Sequence, residues 1–162
     1  MIDLEQLNAF IITPVLSQIK LYSDAARNLV IGTGLQETQF YWVDQTSPGP
    51  GPGFGPFQCE RRTHNGLWNN FLPKYPQLMA DVSSLLGLYP TDKVLALHGN
   101  WNYATAMCRV HYRAVAAPLP GARDSRGLAE YWKQYYNTEK GKGTVEEFLD
   151  NYKRWERWER LI

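Results

Sequence analysis

Cysteine is scarce: Cys59 and Cys108 are the only two in 162 residues. Two widely spaced thiols make neither a disulfide framework nor a zinc motif. Cys59 and His64 come nearest to a metal pair, but nothing completes a set of four, so neither metal nor cofactor is expected. An excess of one charge is also lacking, since 17 Lys and Arg face 16 Asp and Glu for a net charge of +1. A nucleic-acid surface normally carries a basic stripe, so no nucleic-acid partner is expected. No apolar run approaches the roughly 20 residues that span a bilayer, which argues against membrane insertion. The first residues, Met1-Ile2-Asp3-Leu4-Glu5, are acidic and lack the basic-then-apolar order of a secretory signal. They point to a protein that stays in the cytosol or leaves it without a cleaved signal.

What the chain does have is aromatic side chains, 14% of the total with six Trp and ten Tyr. Such faces serve cores and carbohydrate-stacking surfaces alike. The length suits one domain, 1–162, with one core. The periodicity is helical almost throughout, so the expected class is mainly α with at most one small β-hairpin around 41–58. Leu4, Leu7, Ile11, Val15 and Ile19 predict a first helix over 3–21, kinked or split at Pro14. Ser23 is a good cap for a second helix. Thr63 is placed as the cap of a helix carrying Leu67, Trp68, Phe71 and Leu72, and Pro76 opens the next. Thr91 or Asp92 starts a short helix through Val94 and Leu97. Tyr103 to Ala114 mark a strongly periodic one, with Arg109 and Arg113 on its outer face and His98 and His111 as structural or surface groups. Asp124 or Ser125 caps a helix carrying Leu128, Tyr131 and Trp132. Thr144 and Glu147 form a capping box before the last helix, whose Asp150–Arg154 and Glu156–Arg160 spacings suit weak ion pairs.

One region carries chemistry. Ala25 to Ile31 make the second helix apolar nearly all round, so it should be the central buried helix, with Gly32 and Gly34 admitting another backbone. Glu37 falls in its last turn. The helix C-terminus disfavours a second negative charge, and burial does the same, so both raise the carboxyl pKa. Tuning to about 6–7 is what a general acid needs. The alternative is a Glu that hydrogen-bonds a nearby amide. From Ser47 to Pro56 the chain is almost all Pro and Gly, which reads as a functional loop lining a cleft. Beside it, Phe54 and Phe57 supply apolar faces, Gln58 an amide and Glu60 a second carboxylate. Asp44 and Glu60 are the candidates if two carboxylates act together.

The run Leu29-Val30-Ile31-Gly32-Thr33-Gly34-Leu35-Gln36-Glu37-Thr38 resembles the apolar helix ending in Glu-x-Ser/Thr of soluble lytic transglycosylases and goose-type lysozymes. Gly55-Pro56-Phe57-Gln58 is similar to their Gly-Leu-Met-Gln motif. The fuller Gly51-Pro52-Gly53-Phe54-Gly55-Pro56-Phe57-Gln58-Cys59-Glu60 resembles bacteriophage members, as does Ala129 to Thr138 with Gly141 to Thr144. The resemblance implies a single-domain lysozyme-like fold and cleavage of the β-1,4 bond between N-acetylmuramic acid and N-acetylglucosamine in peptidoglycan. It makes Glu37 the general acid and base, with the sugar's own hydroxyl closing an anhydro ring. It gives substrate-binding positions to Thr38, Phe57, Gln58 and Tyr136. Peptidoglycan glycan strands, and other phage tail or virion proteins, are the partners it implies. Its setting would be a phage virion, as a tail or ejected protein acting in the host periplasm and cell wall, or the host cytosol until lysis. The rival expectations are a virion or tail structural protein with this fold and little activity, and a sugar- or peptide-binding module.

Overall fold

The computed structural model describes residues 2–44, 51–87, 92–138 and 141–159. It is mainly helical, with one two-stranded sheet among the described residues. The first helical run is α1 (Leu4–Leu7), a π-helical turn (Asn8–Ile12) and α2 (Thr13–Gln18). Pro14 neither splits nor ends it. The wider turn comes immediately before the proline, where the Thr13 amide reaches back five residues to the Asn8 carbonyl. The run ends before 21 because Lys20 adopts a left-handed conformation.

The central helix is α3 (Asp24–Glu37), capped by Ser23, whose Oγ accepts from the Ala26 amide at 3.1 Å. Every residue from Ala26 to Leu35 is buried. The all-round apolar pattern has this consequence: no face of α3 is left for water. It packs against α7 (Trp101–Arg113), α8 (Ser125–Trp132) and α9 (Val145–Glu159). Gly32 and Gly34 do admit close neighbours, but these are rings rather than backbone. A Cβ would overlap Phe148 at Gly32 and Phe40 at Gly34. Trp132 and Trp155 are the largest fully buried side chains, and a buried aromatic is worth about 2–3 kcal/mol.

The other helices follow local signals with a few departures. Glu60, not Thr63, stands at the cap of α4 (Arg61–Gly66), and Thr63 lies inside it. A π turn (Leu67–Phe71) and a 3₁₀ turn (Leu72–Lys74) lead to α5 (Pro76–Ser84), opened by Pro76 as expected. Thr91 lies outside the described residues. Asp92 caps only a turn, through its bond to the Val94 amide, and the helix proper is α6 (Ala96–Gly99). The Asn100 side chain caps α7. Arg109 is not on an outer face: it is 8% exposed and its Nε donates to the Leu21 carbonyl. Asp124 caps α8. Thr144 and Glu147 exchange both capping-box bonds at the start of α9. Asp150 pairs with Lys153 rather than Arg154, Glu156 accepts from Ser125, and Arg160 lies outside the described residues.

Candidate active site

The hairpin is displaced from its expected span. Its strands are β1 (Gly53–Phe54) and β2 (Cys59–Glu60), antiparallel, with Gly53 opposite Glu60 and Phe54 opposite Cys59. Asp44 adds a bridge to Phe54. The turn between the strands needs glycine at Gly55, where φ is +73° and a Cβ would strike the Leu97 carbonyl. The Gly55 carbonyl receives both the Gln58 amide at 3.0 Å and Gln58 Nε2 at 2.8 Å. Of the Pro/Gly loop, residues 47–50 lie outside the described residues, while Pro52 and Gly53 do line a cleft.

That cleft, of about 550 Å³, lies between the end of α3, the hairpin, α7, the end of α8 and the loop before α9. Glu37, the last residue of α3, is in its wall. Trp132 Nε1 donates to Glu37 Oε1 at 3.0 Å. Burial raises the Glu37 carboxyl from 4.5 to about 7, and the Trp132 bond pulls weakly the other way. Near neutral pH the group therefore carries its proton about half the time. It can give a proton to a leaving oxygen and take one back, as acid–base catalysis demands.

The chain beyond Glu37 turns sharply. Gln39 and Phe40 both have positive φ, at 51° and 54°. Two successive left-handed non-glycine residues cost of order 1–3 kcal/mol each and gather at functional sites. What holds them is the Phe40 ring, buried over Gly34, edge-on to Phe57 at 5.9 Å and beside Trp101 at 6.0 Å. The Thr38 hydroxyl secures the same turn. It donates to the Pro56 carbonyl at 2.8 Å and accepts from the Phe40 amide at 3.1 Å. Thr38 lines the cleft, and its hydroxyl holds the hairpin against α3.

Tyr136 and Phe57 bear on the same hairpin. A π turn (Lys133–Asn137) continues α8 and carries Tyr136 into the cleft wall. Its hydroxyl donates to the Phe57 carbonyl at 2.7 Å and so braces the hairpin. The Phe57 side chain is 2% exposed and belongs to the core, away from the cleft lining. Gln58, Asp44 and Glu60 do line the cleft, the two carboxylates as exposed groups at its edge. Asp44 stands 3.7 Å from His98 Nε2.

Several cleft residues carry no clear functional signal in the sequence. Trp132 sits four before Tyr136, a spacing that puts both on one helix face. His111, expected as a structural or surface group, lines the cleft with its ring 4.6 Å from Tyr136. Burial lowers it to about 4, so it is neutral at pH 7. Trp42 also lines the cleft, and the Gly141–Gly143 loop forms part of its wall. Lys133 fixes that loop through bonds to Asn137 Oδ1 and the Gly141 carbonyl, at 2.8 and 2.9 Å. Cys59 also lines the cleft, but burial and then Glu60 push its thiol up to about 12, which makes it a poor nucleophile. Among the described residues no group of three His, Cys, Asp or Glu is placed to hold a metal.

No protein-family model, no curated protein and no solved structure matches this chain.

Proposed function

We propose that the protein cleaves the glycan strands of peptidoglycan at the bond between N-acetylmuramic acid and N-acetylglucosamine, with Glu37 as general acid and then base. The observation that carries this reading is the Glu37 carboxyl itself: buried at the end of an apolar helix, open to a cleft, and raised to about 7. Its surroundings are consistent with that role. Burial keeps a proton on the carboxyl, Trp132 donates to it, and Tyr136 and the neutral His111 line the same cleft. The same proposal includes a lysozyme-like architecture, in which the buried helix delivers the acid and the short hairpin forms one lip of the cleft. It also includes a bacteriophage role, in the virion for wall penetration or at lysis.

The reaction begins with proton transfer from Glu37 to the glycosidic oxygen as that bond breaks. The carboxylate left behind then takes a proton from the attacking hydroxyl. If that hydroxyl is the sugar's own, the product carries an anhydro ring and consumes no water. If it is water, the product has an ordinary reducing end. The test is a digest of purified peptidoglycan with wild type and Glu37→Gln, read by mass spectrometry. Fragments one water lighter than reducing ends, absent with Glu37→Gln, support the transglycosylase. Reducing-end fragments make it a hydrolase and turn attention to Asp44 and Glu60. No fragments from the wild type would sink the enzyme reading in favour of a virion structural protein.

A further inference from the structure

Beside the cleft the chain exposes three large apolar residues in a row. Tyr41, Trp42 and Val43 are 52%, 53% and 45% exposed. Consecutive exposed residues of this size leave apolar area in water, and such patches usually mark a binding surface. Nor is this a loose segment. Behind it, the Tyr41 amide donates to the Thr38 carbonyl and the Phe40 ring is anchored in the core. Ahead of it, the Gly55 amide donates to the Val43 carbonyl at 3.0 Å and Asp44 bridges Phe54. The backbone is therefore held at both ends, and the left-handed pair Gln39–Phe40 turns the segment away from the core. Tyr41 stands beside Trp42, with ring centroids 6.4 Å apart.

Of the three, Trp42 lines the cleft that contains Glu37. We propose that Trp42 is a sugar-stacking platform at the mouth of this cleft, which takes the apolar face of a pyranose ring next to the unit held at Glu37. This rests on the glycan-cleaving reading above and extends it to a further subsite. The physical warrant is the match of surfaces. One face of an N-acetylhexosamine presents axial C–H groups, an indole ring presents a flat electron-rich face, and contact between them removes apolar area from water on both sides. Polar cleft residues alone would bind sugar hydroxyls with little net gain, because water competes for the same bonds. A preformed, anchored ring loses little conformational entropy on binding. Continuity of Trp42 with the acid-bearing cleft favours a glycan over a protein partner as the occupant.

The first measurement is binding of chitohexaose, a soluble glycan of N-acetylglucosamine, to the uncleaving Glu37→Gln protein by calorimetry. Adding Trp42→Ala should raise Kd about tenfold, the loss expected for one stacked ring, whereas Trp42→Phe should retain most of the affinity. Phe10→Ala removes a ring that is 76% exposed outside the cleft and should leave Kd unchanged. In the active protein, Trp42→Ala should act on KM more than on kcat in peptidoglycan digestion. Equal Kd with and without the Trp42 ring overturns the stacking inference, as does absence of chitohexaose binding. Trp42-dependent binding without any peptidoglycan cleavage by wild type supports the subsite while removing the enzyme reading. Cleavage by wild type that is indifferent to Trp42→Ala does the reverse and leaves the exposed row to a protein partner.

Discussion

At its N-terminal end α3 meets the core with polar groups that are matched, and at its C-terminal end it carries a carboxyl group that is barely compensated. Asn28 is fully buried near the first end. Its Oδ1 accepts from Trp155 Nε1 at 2.9 Å and Arg27 Nε at 3.0 Å, and its Nδ2 donates to the Ala122 carbonyl at 3.0 Å. Asp24 places a negative charge where the helix dipole favours one, and it pairs with Arg27 at 3.4 Å. At the other end Glu37 places a carboxyl where the dipole opposes ionisation, in a site where burial opposes it too, with Trp132 as its donor. Under the proposed function, one helix thus carries a stability end and a chemistry end. The lesson is that burial of a polar group is harmless where partners meet it, and becomes a tool where they do not.

Glu37→Gln is the sharpest test of the chemistry end. It keeps the shape and the Trp132 contact but removes the transferable proton, so peptidoglycan cleavage should fall by about 10²–10⁴, or roughly 3–5 kcal/mol of barrier. The fold should survive, as circular dichroism would show. Asn28→Ala should do the opposite. It strands the Trp155 N–H and the Ala122 carbonyl in the core, at a cost of about 2–4 kcal/mol in urea unfolding. A loss well under 1 kcal/mol would mean that the N-terminal end is not held by these bonds.

The pH dependence of stability separates the two ends again. The Glu37 carboxyl holds its proton up to about pH 7 in the folded chain and only to about 4.5 when unfolded. Its contribution is therefore complete below pH 4.5 and is lost as pH rises through 7. Between pH 4 and pH 8 that loss amounts to about 3 kcal/mol in the wild type, and Glu37→Gln should remove it. Matching urea midpoints at both pH values for the two proteins would contradict the burial of this group. The smallest effect expected is that of Trp132→Phe. Without the indole N–H the ionised carboxylate loses its donor, so the alkaline limb of the pH–rate profile should move up by about one pH unit. A limb that stays in place would mean the bond is too weak to tune the acid.

Much of the helical framework was legible because its signals are local. Ser23, Asp124 and the Thr144–Glu147 pair act on amides three residues away, and all three caps form as read. Pro76 opens α5 for the same reason. The misreadings have a common cause. Arg109 looks exposed by spacing, but the Leu21 carbonyl, 88 residues away, draws it into the core. Gly32 and Gly34 advertise close approach without saying whose, and the answer is rings from α9 and from the turn after α3. Thr63 is an adequate cap by type, but β2 delivers the chain into α4 three residues earlier.

The candidate site divides along the same line. Residue order by itself determined that a carboxylate ends an apolar helix and that a glycine-dependent turn follows, since helix patterning and turn chemistry are written over a few residues. Only the tertiary structure decided what that carboxylate is. Its burial, its bond to Trp132 across 95 residues, and the neutral His111 of the same cleft come from separate helices. The bonds of the Thr38 and Tyr136 hydroxyls to the carbonyls of Pro56 and Phe57 were likewise decided by folding. A side chain's acidity and its hydrogen-bond commitments depend on desolvation and on partners brought from far along the chain, and neither exists until the chain has folded.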